Sequence, residues 1–93
     1  MNRLVMAATA VLVAATAAHA ATGDRCKVTD PTGTPLNVRS EPNGKIIGTL
    51  ANGTLVSITE YKEDANGKPW VDVADYKTKK VIGWVLREFV SCY

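Results

Sequence analysis

The chain has little of what most enzymes need. Among 93 residues there is one histidine, His19, and there are two cysteines, Cys26 and Cys92. His19 lies in a leader that we expect to be removed. Without it no Ser-His-Asp or Cys-His site can be assembled, and a zinc centre lacks imidazole ligands. Two cysteines alone are too few for a metal site, so no metal and no cofactor is expected. Charge of one sign is also scarce, with 11 Lys+Arg against 9 Asp+Glu. Nonspecific nucleic-acid binding draws on a clear basic excess, so a nucleic-acid partner is not expected. No helical period of any length follows Ala20, and the same part of the chain holds no internal repeat and no low-complexity tract.

What is present begins with a leader. Arg3 supplies a short positive segment, and Leu4 to Ala18 is an uninterrupted run of Leu, Val, Met, Ala and Thr. Ala18-His19-Ala20 then matches the small-x-small pattern of a signal-peptidase site. Residues 1–20 therefore read as a Sec-type signal peptide cleaved after Ala20, with no stable membrane insertion afterwards. The run is about 15 residues long, short for a retained bilayer span, which is the alternative. The expected location is the periplasm or the medium outside the cell.

Cleavage would leave 73 of the 93 residues. That is one small domain, residues 26–93, behind a short polar lead, 21–25. Domains of this size bury a modest fraction of their surface and usually need reinforcement. Cys26 and Cys92 sit near the two ends of the remaining chain. In an oxidising compartment they are expected to form a disulfide, worth about 4 kcal/mol in the chain-entropy model. We place Cys26 just before the first strand and Cys92 on the last, so the bridge would tie the terminal strands together, with Cα atoms within about 7 Å.

The fold class is all-β. Turn signals are dense, including the three pairs Asn43-Gly44, Asn52-Gly53 and Asn66-Gly67. Asn and Gly tolerate the positive φ that tight turns require. The runs between them alternate with period two. Leu36 and Val38 oppose Asn37 and Arg39. Val56 and Ile58 oppose Ser57, Thr59 and Tyr61. Val71 and Val73 oppose Trp70, Asp72 and Ala74, and Val81 and Val85 oppose Ile82 and Trp84. One row should face a core and the other solvent or a groove. Leu86 to Phe89 suits a 3₁₀ turn between strands. The expectation is a small, strongly bent barrel of about five to six short antiparallel strands, closed so that no edge is exposed.

Acid groups and hydroxyls remain as candidates for chemistry. Glu60, Glu63 and Asp64 cluster near Asp72 and Asp75. A glycosidase needs two carboxyls flanking a cleft at controlled spacing, and so small a barrel has little volume for one. Arg39-Ser40-Glu41 can look catalytic, but adjacent strand residues point to opposite faces, so Ser40 does not face its neighbours. A scaffold role fits better, with Ser40 and Glu41 starting the turn at Pro42-Asn43-Gly44. No catalytic residue is expected. Lys77, Lys79 and Lys80 form a basic run that reads as a solvated loop tip. Asn52-Gly53-Thr54 is a formal glycosylation sequon that carries little weight.

The run "LNVRSEPNGKIIGTLANGTLVSI", followed by "WVDV" and "GWV", resembles the bacterial SH3 domain family. The blocks are Leu36 to Ser40, Pro42, Ile47 to Leu50, Gly53, Val56 to Ile58, Trp70 to Val73, and Gly83 to Val85. Their order covers about Lys27 to Phe89. The resemblance implies an SH3-like barrel in an exported protein that binds cell-wall peptide or glycan. It makes Leu36 to Ser40 a fold signature and not a catalytic motif. The family often carries an enzyme domain beside the barrel, and none is expected here. Its ending, Leu86 to Tyr93, also departs from the family pattern, and so does the terminal cysteine pair.

Small barrels recognise extended ligands through aromatics and a few polar groups between loops. The candidate ligand-binding residues are Tyr61, Trp70, Tyr76 and Trp84, with Arg39, Glu41, Asp72 and Arg87 as polar partners. Trp70 and Trp84 also suit packing, and Tyr61 and Tyr76 also suit cross-strand bracing. The expected partner is cell-wall peptidoglycan or its stem peptides, or else a periplasmic protein, bound by a monomer.

Overall fold

The computed structural model describes residues 25–93. The leader, its cleavage after Ala20 and residues 21–24 of the polar lead lie outside the described residues. Seven strands follow in order: β1 Cys26–Val28, β2 Leu36–Arg39, β3 Ile46–Leu50, β4 Leu55–Glu63, β5 Pro69–Asp75, β6 Val81–Leu86 and β7 Val90–Cys92. A 3₁₀ turn, Arg87–Phe89, joins β6 to β7 as the sequence suggests. All the strands belong to one antiparallel sheet of order β3-β2-β6-β5-β4-β1-β7, bent into an SH3-like arrangement.

The sheet holds more strands than expected because β1 and β7 are only three residues each. They pair along their whole length, with Cys26 opposite Cys92, Lys27 opposite Ser91 and Val28 opposite Val90. Cys26 thus lies on the first strand and not before it. The disulfide joins directly opposed residues, with Cα atoms 3.9 Å apart. Closure is less complete than expected. β3 and β7 end the strand order and no ladder joins them, so among the described residues β3 keeps an open edge, with Ile46 and Ile47 about half exposed.

The turns follow from their residues. Between β2 and β3 the Gly44 amide donates to the Glu41 carbonyl at 2.7 Å, with Pro42 pre-set for the turn and Asn43 at φ 61°. Between β4 and β5 the Gly67 amide donates to the Asp64 carbonyl at 2.9 Å, and Gly67 takes φ 80°.

The core is built of β-branched side chains of modest size. Val28, Val38, Val56, Ile58, Val73 and Val85 are among those fully or almost fully buried. Three β-bulges bend the sheet around them and change which side chains reach inside. In β4 the register shifts between Ile58 and Glu60, so Tyr61 pairs with Val71 and packs against the core. Simple alternation had placed it outward. In β6 Gly83 pairs with Val73 but Val81 pairs with Ala74, which makes Ile82 the extra residue. Ile82 packs on the core while Val81 is exposed, the reverse of strict alternation.

Candidate functional site

One end of the sheet carries a groove of about 290 Å³. Leu36, Trp70, Leu86 and Phe89 supply its apolar walls, from β2, β5, β6 and the 3₁₀ turn. Its polar lining comes from the segment before β2, through Asp30 and Thr34, from Asn37 and Arg39 on β2, and from the turns, through Asn43, Asp64 and Lys68. Acids, cations and amides thus stand together over apolar walls, which is the composition of a site for a polar, extended ligand.

Asp64 organises this end. Its Oδ1 accepts from the amides of Asn66 at 2.8 Å and Lys68 at 3.0 Å. Its Oδ2 accepts from the Trp70 indole N–H at 3.0 Å and from the Asn43 side-chain amide at 2.9 Å. One carboxylate therefore links the β2–β3 turn, the β4–β5 turn and a buried indole. The Trp70 bond, then the Lys68 amide and the other donors, hold its carboxyl below the usual carboxylate range. Arg39 is similarly engaged. Its Nη1 donates to the Gly44 carbonyl at 2.7 Å, and its guanidinium lies 5.9 Å from the Trp70 ring centroid.

A second row crosses the outer face beside the groove. Glu60 pairs with Asp72, Asp72 with Trp84, and Trp84 with Arg39. The Lys62 ammonium lies 5.7 Å from the Trp84 ring centroid. Trp70 and Trp84 are 3 % and 9 % exposed, so both are packing residues, each with a cationic head group over its ring. Among the described residues the buried Asp72 Oδ1 has no hydrogen-bond partner. Burial first, and then the negative charge of Glu60, push the Asp72 carboxyl above its ordinary value.

The structure brings Arg39 and Trp70 together at the groove and sets Asp72 and Trp84 in the neighbouring row. The other sequence candidates lie elsewhere. Glu41 is exposed in the β2–β3 turn. Tyr61 packs on the core side. Tyr76 stands at the far end of β5 with the Lys79 ammonium 4.6 Å from its ring centroid. Arg87 donates from Nη1 to the Val90 carbonyl at 2.6 Å and so braces the 3₁₀ turn. Sequence reasoning missed Asn37, Asn43, Asp64 and Lys68 as groove residues. The signal for Asp64 was an acid two residues before Asn66-Gly67, a position from which a carboxylate caps turn amides.

Comparison with protein families decides the relationship. The family model described as Bacterial SH3 domain matches residues 34–91. The chain belongs to the bacterial SH3 domain family. No curated protein and no solved structure matches it. In this bacterial SH3 domain the signature block Leu36 to Arg39 is β2, whose Leu36, Asn37 and Arg39 line the groove. The Gly83-Trp84-Val85 block is the middle of β6. Gly83 takes φ 146°, and a Cβ there would lie 2.6 Å from Val38 Cγ1, so the glycine lets β6 approach β2. The bacterial SH3 domain is a binding module in its general character, and its groove is the concave surface on which binding can be built.

Proposed function

We propose that this protein is an exported, non-catalytic binding module that recognises cell-wall peptidoglycan through its stem peptides. The observation that carries the reading is the groove of a bacterial SH3 domain lined by both signs of charge, Asp30 and Asp64 beside Arg39 and Lys68. A stem peptide offers carboxylates, amines and amides in an extended chain, and each has a counterpart there. Leu36, Leu86 and Phe89 suit its aliphatic side chains. Asp64 and Arg39 are tied to the turns, so the groove is held in shape before a ligand arrives, which lowers the ordering cost of binding.

The test is co-sedimentation with purified wall sacculi. Saturable pelleting that survives high salt is expected, because specific contacts are screened less than diffuse attraction. Lys68→Ala with Asn37→Ala, both exposed positions, should weaken pelleting by about thirtyfold, given about 1 kcal/mol for each of the two lost polar contacts. Pelleting that vanishes with salt, or is indifferent to the double variant, would refute the reading.

A second reading has its own support. The open edge of β3, with Ile46 and Ile47 exposed, can accept an added strand from a periplasmic protein partner. It predicts a stoichiometric complex insensitive to wall digestion and abolished by a proline at Ile47.

A further inference from the structure

The outer surface around the far end of β5 has a different character from the groove. Val56 pairs with Asp75, and the Tyr76 amide donates to the Leu55 carbonyl at 3.2 Å. The β5–β6 turn is therefore rooted beside β4. On the other side of β4, Cys26 pairs with Val56 and Lys27 with Leu55. Cys26 and Val56 are in the core, so Lys27 and Leu55 share the outer face. Lys79 reaches that face too, its Nζ 3.4 Å from Ser57 Oγ. Arg25 and Lys27 both lie over the Tyr93 ring, at 5.0 and 5.6 Å from its centroid. Lys77 and Lys80 are exposed on the same turn as Lys79.

Arg25, Lys27 and Lys79 thus share the outer face, and Lys77 and Lys80 stand on the adjoining turn, which is closed by Asp75. Its Oδ1 already accepts from the amides of Lys77 and Thr78, each at 2.9 Å. Among the described residues none of these five cations is in a salt bridge; the ion pair found there, Lys68 with Glu88, lies at the groove end. Apolar groups are interleaved with the cations. Val81 follows Lys80 directly and is 65 % exposed, and Tyr93 is 61 % exposed.

We infer that this basic and apolar face docks the domain peripherally on an anionic phospholipid surface. The cations meet headgroup phosphates, Tyr93 and Tyr76 sit at headgroup level, and Val81 enters the acyl boundary. A polyanion of the wall could satisfy the lysines but offers nothing to Val81, which is why the lipid is favoured. Trp70 and Asp75 stand near opposite ends of β5, so docking leaves the groove accessible. The inference does not depend on what the groove binds.

The experiment is vesicle co-sedimentation of the exported protein, its N-terminus read by mass spectrometry. One set of vesicles is pure phosphatidylcholine and the other contains phosphatidylglycerol. Binding to the anionic set alone is expected, falling as salt rises. Lys27→Gln with Lys79→Gln should weaken it by about tenfold or more, whereas Lys45→Gln with Lys62→Gln, the same loss of charge elsewhere, should change it by less than about threefold. Lys77→Gln with Lys80→Gln provides an independent pair, and Val81→Ser should also weaken binding. Equal binding to both vesicle types, no binding to the anionic set, or equal losses in the patch and control pairs would each overturn the inference. An unaffected Val81→Ser would overturn the lipid in favour of a polyanion.

Discussion

Asp72 sits where its charge is disfavoured. Among the described residues its buried Oδ1 has no hydrogen-bond partner, and Glu60 lies directly across the strand pair. A carboxyl whose pKa is raised on folding binds a proton more readily in the native state, so stability falls as pH rises through the folded value. The cost is complete above that value and absent below the ordinary carboxylate range. Asp72→Asn should therefore raise the thermal midpoint at neutral pH, and the gain should shrink to nothing in acid. Thermal melts of both proteins across pH check this, and an equal gain at every pH would contradict the assignment. Gly83 gives a prediction of the opposite sign. A methyl group there would sit 2.6 Å from Val38 Cγ1 and 3.0 Å from the Arg39 carbonyl oxygen, at φ 146°. Gly83→Ala should destabilise by about 1–3 kcal/mol, read from a denaturant midpoint. The glycine was visible in the sequence as part of a motif. Its reason was not, because the clash involves β2, whose contact with β6 no local pattern reveals.

At the scale of elements, the β4–β5 turn is a polar turn pinned by Asp64. The group's pKa is lowered on folding, so its contribution is present above the ordinary carboxylate range and is lost as pH falls through the folded value. Acid should loosen this turn, with a change in tryptophan emission as the Trp70 indole loses its acceptor. Asp64→Ala should produce that emission change at neutral pH, together with faster hydrogen exchange at the Asn66 and Lys68 amides; unchanged exchange would contradict the pinning. Most strands were legible, since period two and the Asn-Gly pairs located β2, β4, β5 and β6, while β3 was marked only as a block of the family pattern. Tyr61 and Ile82 were misassigned because each lies beside a bulge, and one inserted residue reverses every inward and outward position beyond it. The groove was only partly legible. Arg39 and Trp70 belong to recognisable blocks, whereas Asn43, Asp64 and Lys68 come from turns that the bent sheet alone brings together.

The molecule as a whole depends on its ends being held. β1 and β7 are too short to be stable as an isolated ribbon, and the Cys26–Cys92 bond closes a loop across a sequence separation of 66. Cys26→Ser with Cys92→Ser should lower stability by about 4 kcal/mol, measured by denaturant unfolding. Unchanged stability would show that the core suffices without the bond. With its ends fixed, the sheet presents a basic apolar face near one end of β5 and the polar groove near the other. The central claim concerns that groove, and NMR titration of the folded protein with a soluble disaccharide–stem-peptide fragment of peptidoglycan tests it most directly. The account predicts saturable shifts of the Trp70 indole N–H, the Asn37 and Asn43 side-chain amides and the Lys68 backbone amide, all following one binding curve. Absence of saturable shifts at those groups, or shifts centred on the β3 edge, would contradict it.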